Sequence, residues 1–277
     1  MRKIAMKALF AAMLAGTAMP ALAADPYYPP DPQPMPMPMP MPVADNYGGW
    51  YIRGDVDYHW SKWRSAEYII YDEPLGQTRT FDSGSLSGAP SLGLGVGYQI
   101  DDHFRVDLTG DYWFKSNFKG STSGWVDDVF YTSTDKSKMS AYLLLANAYV
   151  DLGTWHRITP YVGAGIGGAW IKWDDLNNTL DDGSFFRHKG KGSWRFAYAA
   201  MAGASYCLTK NLKFDAGYRF SHINGGKMFE FGGGAGPGYD KGFNTHEVRG
   251  GLRYQFGGGR DCVEPAPVPY EPAPVYK

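Results

Sequence analysis

The 277 residues include 36 Gly, 20 Tyr and 9 Trp, with a formal net charge of −1 and a mean hydropathy of −0.37. So even a charge balance gives no surface on which to hold nucleic acid, and beyond the first 23 residues no stretch reaches the roughly 18 consecutive apolar residues that a spanning helix needs. Gly with many aromatics points to β-structure, in which apolar content is hidden either in a soluble core or by alternation along barrel strands.

Residues 1–23 read as a secretory signal. Arg2, Lys3 and Lys7 form the basic start, Ala8 to Met19 the apolar centre, and Ala21-Leu22-Ala23 a small-x-small site cleaved after Ala23. The alternative, an N-terminal membrane anchor, is disfavoured by the short apolar run. No Cys follows the cut, so there is no lipoprotein attachment point. Losing three cations from 27 Lys+Arg against 28 Asp+Glu takes the mature charge to about −4. Residues 24–48 are dominated by Pro, with a Met-Pro alternation from Met35 to Pro42. Such a run donates few ladder hydrogen bonds and is expected to be an extended periplasmic linker, reaching roughly 60 Å at about 3.1 Å per residue. Thioethers are soft ligands, so copper(I) binding is the alternative reading; a plain spacer is preferred.

The first strand is Trp50 to Trp60. Trp50, Ile52, Val56, Tyr58 and Trp60 fall on one face, and Arg53, Asp55, Asp57 and His59 on the other. Successive side chains of a strand point to opposite sides, so this segment suits a bilayer outside and a charged barrel interior. Residues 61 to 88 are polar and read as a long loop. Pro90 to Ile100 and Phe104 to Phe114 alternate in the same way around a tight turn at Asp101-Asp102. Lys115 to Met139 reads as a second long loop. Tyr142 to Asp151 follows with a less clean pattern, because Leu143 and Leu145 share a face with Asn147, Tyr149 and Asp151. A connection over 153–159 leads to Pro160–Trp170, then a third polar segment over 171–193. Trp194 to Tyr206, a turn at Thr209-Lys210-Asn211, and Leu212 to Phe220 come next. A Gly-rich loop from Ile223 to Asn244 precedes the last strand, which closes on Tyr254 and Phe256.

The expected fold is therefore all-β: an eight-stranded antiparallel up-and-down transmembrane β-barrel over residues 49–256, with four long external loops and three short periplasmic turns. Residues 257–277 repeat Glu-Pro-Ala-Pro-Val and are expected to be a Pro-rich periplasmic tail. The expected location is the outer membrane of a Gram-negative bacterium.

Seven basic residues are assigned inward: Arg53, Arg105, Arg195, Lys213, Arg219, Arg249 and Arg253. Six carboxylates join them: Asp55, Asp57, Asp107, Asp111, Asp215 and Glu247. A slip of one residue would turn the cations to lipid at about 2–4 kcal/mol each near the midplane, which pins the register. Eight strands enclose only enough space for side chains, so these groups are expected to pair and leave no wide pore. Inward Gly93, Gly95, Gly97, Gly163, Gly165 and Gly167 either make room for long side chains or outline a ligand cavity; the first is preferred.

Gly49-Trp50-Tyr51-Ile52-Arg53-Gly54-Asp55-Val56, Pro160-Tyr161-Val162-Gly163-Ala164-Gly165-Ile166-Gly167 and the closing Arg253-Tyr254-Gln255-Phe256 resemble the opacity-type, outer-membrane-protein-A-like surface barrels of alpha-proteobacteria. That group includes the major surface antigens of Brucella and the rhizobia. The resemblance covers roughly residues 49 to 256. It implies an eight-stranded outer-membrane barrel of porin-like or surface-antigen type, some relatives of which bind haem or host components. It also implies that Tyr254 and Phe256 are the signal read by the barrel-assembly machinery, although here 21 residues follow Phe256.

Other motifs weigh less. Arg53-Gly54-Asp55 spells an integrin-type tripeptide, but mid-strand, where adhesion would not find it. Ser221-His222 resembles part of the lipid A deacylase pattern, yet Asn224 stands where the nucleophile belongs, so no enzyme is expected. His59, His188, His222 and His246 fall toward the external side, leaving a haem site between loops as the alternative to plain solvated histidines. Cys207 and Cys262 are either free thiols or one disulfide; both fall on the periplasmic side, which favours a bridge. No cofactor is expected. The expected partners are outer-membrane lipid and lipopolysaccharide, the barrel-assembly machinery, and cell wall touched through the Pro-rich segments. Two further readings stay open: small-ligand or adhesion barrel acting through its loops, and soluble secreted β-sandwich or lipocalin.

Overall fold

The computed structural model describes residues 48–69, 78–126, 128–230, 237–257 and Cys262. By contacts the chain divides into a unit over Met1–Asp45 and one over Asn46–Lys277; all described residues belong to the second. The expected signal and nearly all of the linker and tail lie outside the described residues.

Eight long strands carry the fold: β1 (Gly49–Trp63), β5 (Ala89–Gln99), β6 (Phe104–Ser121), β8 (Val129–Asp151), β9 (Ile158–Trp173), β12 (Gly192–Cys207), β13 (Leu212–Ile223) and β16 (Phe243–Gln255). Each pairs antiparallel with the next, and β16 returns to β1, with Gly54 opposite Leu94 on one side and Leu252 on the other. The ladders thus close into a ring with an inner and an outer face.

The burial pattern of each long strand alternates with period two. Outward side chains are apolar and bare: Trp50, Val56, Leu94, Leu108, Tyr142, Ile166, Phe196 and Val248 are all exposed, Leu94 at 74%. Inward ones are buried and mixed: charged, polar and aromatic groups share the inner face with aliphatic ones such as Leu143, Leu145, Ala197, Ala199 and Met201. Glycine clears space for the largest of them. A Cβ at Gly97 would collide with the Tyr51 ring, and one at Gly163 with the Tyr149 ring.

The connections on one side are short. At 100–103 the Asp101 carboxylate accepts the backbone N–H groups of His103 and Phe104 at 2.8 and 2.7 Å. At 152–157, Trp155 and Ile158 bond each other in both directions around His156 and Arg157, which take left-handed φ of 49° and 70° and so match a two-residue hairpin turn to the strand twist.

The other side departs from the expected polar loops. The long strands continue there, and among the described residues eight short ones are added: β2 (Ala66–Ile69), β3 (Thr78–Thr80), β4 (Ser83–Leu86), β7 (Ser123–Val126), β10 (Leu176–Leu180), β11 (Phe185–Gly190), β14 (Gly226–Glu230) and β15 (Pro237–Asp240). A ladder leaves β8 and runs through β10, β11, β14, β15 and β2 to β3. Most of the Lys115–Met139 stretch read as a loop is strand, because β6 runs to Ser121 and β8 starts at Val129. A bulge between Trp113 and Ser116 explains the misreading. It adds a residue, leaving Phe114 and Lys115 both outward, and inverts the parity of everything after it.

Above the ring this ladder covers an apolar cluster. Trp63, Phe81, Phe118, Trp173 and Phe229 meet edge to face, with neighbouring centroids 5.4–6.0 Å apart. Met228, Leu176 and Phe243 pack with them. Five separate segments thus converge on one cap, each buried ring contributing about 2–3 kcal/mol by area alone.

Candidate functional site

The inner face of the ring and the cap over it are the chemically distinctive parts of the molecule. The largest charge cluster spans β1, β6, β13 and β16. Arg53 grips Asp55 with two nitrogens at 2.9 and 2.8 Å and reaches Asp107 at 3.3 Å. Arg249 bridges Asp55 and Asp57 at 3.2 Å and Asp111 at 3.3 Å. Arg219 donates to Asp111 at 2.8 Å and to Glu247 at 2.6 Å. Tyr51 and Asn147 donate to Asp107 at 3.0 and 2.7 Å. Every carboxylate in this chain of contacts touches an arginine, as charges removed from water require.

Three smaller ion-paired groups lie beside that cluster, two of them touching it through the rings of Tyr51 and Tyr149. Arg253 binds Asp215 at 3.2 Å and Ser205 at 2.8 Å, with Ser205 also donating to Asp215. Lys213 is buried, opposite Arg253 on one ladder and Cys207 on the other. Arg105 pairs with Asp151 at 3.0 Å, and its guanidinium lies 4.0 and 4.6 Å from the ring centres of Tyr149 and Tyr161. Those ring faces serve the two terminal nitrogens of Arg105 that have no hydrogen-bond partner. Arg195 binds Asp240 of β15 at 2.7 Å and the Lys227 carbonyl at 2.9 Å, fastening the cap to the ring. All thirteen charged residues assigned inward from the sequence are buried, and among the described residues their ion pairs fall into separate groups. Asp151 and Asp240 supply the partners of Arg105 and Arg195 and were absent from the assigned set. Asp151 shares a face with Tyr149 and so carried a signal; Asp240, in a Gly-rich stretch, carried none.

The remaining sequence-flagged residues are scattered. His59 stacks on Trp113 at 4.5 Å inside the ring. His188 is buried in the cap. His222 and His246 lie on the outer face, bonded to Asn244 and Tyr218. They share no site, and among the described residues no group of His, Cys, Asp and Glu has metal-holding geometry. Ser221 is buried inward while its neighbour His222 is half-buried. Tyr254 and Phe256 are exposed, their rings 5.3 Å apart. Cys207 and Cys262 form a disulfide with Cα atoms 5.4 Å apart.

Outside the ring, local fields move a few titrations. The Gly190 N–H, 3.0 Å from Asp175, holds that carboxyl below its ordinary value, with Arg187 adding to the effect. Burial pushes His188 below the usual imidazole range, and raises Asp240 against the opposing pull of Arg195.

The sequence of residues 8–256 matches a family described as "Outer membrane protein beta-barrel domain". The chain belongs to this family. As an outer membrane β-barrel it has an all-β fold and a place in the Gram-negative outer membrane. An uncharacterised Brucella abortus protein is 38% identical over 208 residues, covering 66% of this chain and 71% of that protein. Outer membrane protein PagN of Salmonella typhimurium is 31% identical over 143 residues, 49% and 57% of the two chains. A Rickettsia bellii protein named as a candidate adhesin is 31% identical over 137 residues, 48% and 58%. Among solved structures, OprG of Pseudomonas aeruginosa shares 17% identity, covering 75% of this chain and 96% of that one, with a TM-score of 0.43. The family match and the sequence relatives extend to the outer membrane barrel family at large and do not single out the opacity and surface-antigen group.

Proposed function

We propose that this barrel is a structural, porin-like surface protein of the envelope with no wide pore and no catalytic role. In this reading the eight ring strands cross the bilayer, the three short connections lie in the periplasm, and the cap stands outside. The observation that carries it is the pairing of Arg53, Arg249 and Arg219 with Asp55, Asp57, Asp107, Asp111 and Glu247 across the middle of the ring. The rings of Tyr51, Trp113, Tyr149 and Tyr161, also buried there, support a filled bore. Arg53 and Asp55 are buried and Ser221 faces away from His222, which supports neither tripeptide adhesion nor acyl transfer.

The partners proposed with this reading are those expected from the sequence. Lipid and lipopolysaccharide meet the apolar exterior, the assembly machinery reads Tyr254 and Phe256, and the Pro-rich segments reach cell wall. Refolded barrel should show slower electrophoretic migration after boiling than before, and no large steady conductance in planar bilayers. Stable large steps would overturn the sealed bore.

A second reading, adhesion through the outer tip, rests on its bare aromatics. Trp125 and Phe130 meet at 5.2 Å with their rings tilted and are 65% and 48% exposed, and Phe185 and Phe186 are also exposed. Phe130 lies twelve residues beyond the outward Tyr142, roughly 40 Å of strand, too far for lipid to cover it. One relative's naming as a candidate adhesin agrees. Changing both Trp125 and Phe130 to Ser should abolish attachment of barrel-bearing vesicles to host cells; unchanged attachment removes this reading.

A further inference from the structure

On the outer surface of β6, β8, β9, β10 and β11 lies an open groove of about 620 Å³. Strand register fixes part of its floor. Lys119 stands opposite Lys136, Lys136 opposite Asn177, and Asn177 opposite Arg187, a single row across four strands. Lys138, Lys172 and Lys189 bring the lining to six cations against two carboxylates, Asp174 and Asp175. Both carboxylates are already engaged, Asp174 with Lys115 at 2.7 Å and Asp175 with Arg187 at 3.0 Å. Lys119, Lys136, Lys138, Lys172 and Lys189 are exposed, and none of them is in an ion pair among the described residues. Like charges facing each other across a ladder destabilise it. Lys119 and Lys136 thus cost the folded protein energy that an anion set between them would offset.

The height of the groove selects the anion. Directly below it the outer wall carries an aromatic band, with Tyr112 packed on Phe114 at 5.1 Å and on Tyr142 at 4.8 Å, and Trp170 on Trp194 at 5.6 Å. Such bands mark the membrane interface. Lys115 follows Phe114 directly, Lys172 lies two residues beyond Trp170, and Lys138 lies four from Tyr142. At about 3.3 Å per residue the first cations stand roughly 3–13 Å of strand above the band, at headgroup depth. The opposite wall differs: there β13 and β16 present His222, Asn244 and His246, bonded to one another or to Tyr218.

We propose that this groove binds the phosphorylated headgroup of an outer-leaflet lipid A molecule, with its acyl chains against the apolar wall below. The phosphates lie among Lys138, Lys172 and the Lys119–Lys136 pair. Ammonium groups on flexible stems serve as point charges for phosphate without demanding one bidentate geometry. The inference rests on the reading that the ring spans the membrane with its cap outward.

The test uses the full chain refolded into phosphatidylcholine nanodiscs containing either bisphosphorylated or dephosphorylated lipid A. Lipid retention is followed by native mass spectrometry, and insertion by boiled against unboiled mobility. The wild-type barrel should retain the phosphorylated lipid in preference to the dephosphorylated one. K136Q/K138Q/K172Q should retain it on the order of a hundredfold more weakly, since each cation at an anionic lipid surface is worth about a fivefold factor. Equal retention of the two lipids by the wild type overturns the proposal without recourse to any variant, as does an inserted triple variant that binds like the wild type. Binding of a soluble sulfated polysaccharide to the groove with no retention of the phosphorylated lipid would also overturn it, assigning the groove to a polyanion in solution. Failure of the spanning reading shows separately, as a chain with no heat-dependent mobility that does not enter the nanodisc.

Discussion

The ring and its cap use one pleated backbone in opposite ways. In the ring, apolar groups such as Leu94 and Ile166 point outward and Arg219, Asp111 and Glu247 point inward; in the cap, Trp173, Phe118 and Phe229 point inward and Lys136, Lys138 and Lys172 point outward. Both arrangements occur along single strands. β8 has Asn147 and Tyr149 inside near one end and Met139 inside farther along; β9 moves from Tyr161 to Trp173. The difference teaches that the surrounding solvent, not the strand, decides what an alternating pattern means. Where lipid is outside, polar groups must find partners within; where water is outside, the ordinary hydrophobic core returns.

The hardest blow to the ring side of this contrast is Arg219→Met. It leaves Asp111 and Glu247 without their closest cation, and loss of one member of a buried ion pair costs about 3–5 kcal/mol. Urea unfolding of the barrel in vesicles should shift accordingly. A variant as stable as the parent would mean that the interior charges are hydrated and not mutually satisfied.

Next in size is a paired substitution that moves the same charge between the two regions. Leu94→Arg should destabilise by about 2–4 kcal/mol, as expected for Arg on the lipid face. Thr134→Arg, outward on β8 beyond the aromatic band, should change stability by less than about 0.5 kcal/mol. Equal effects in the same unfolding assay would erase the boundary between ring and cap.

The smallest effect belongs to His188. Burial lowers its pKa in the folded cap, so the unfolded state takes up the proton first. The contribution is complete above the unfolded value of about 6.5 and is lost as pH falls through it toward the lower folded value. Amide exchange across β10 and β11, corrected for intrinsic rates, should quicken between pH 7 and pH 5.5, and His188→Gln should flatten that dependence. Identical profiles would place the imidazole in water.

The sequence was most informative where the two solvents differ most. Trp50 to Trp60 and Leu92 to Ile100 alternate cleanly because lipid rejects the charges that the interior accepts. Legibility failed at Phe114, where the bulge inverts parity, and through Ser133 to Met139. There Ser133, Asp135, Ser137 and Met139 do alternate with Thr134, Lys136 and Lys138, but a hydroxyl set against an ammonium is a faint contrast. The cap was invisible for another reason. Trp63, Phe81, Phe118, Trp173 and Phe229 are single aromatics in separate polar stretches, and none shows a partner until five segments meet.

Period-two chemistry is local, so the chain alone determined which side chains of the long strands turn toward lipid and which turn inward. Which inward charges touch was decided only when strands far apart in sequence came into register. Arg249 reaches Asp57 across 192 positions and Arg219 reaches Asp111 across 108. The same closure set Arg105 on Asp151, Arg195 on Asp240 and Cys207 on Cys262. Orientation follows from the residue and its two neighbours, whereas partnership depends on the shear with which the whole ring closes.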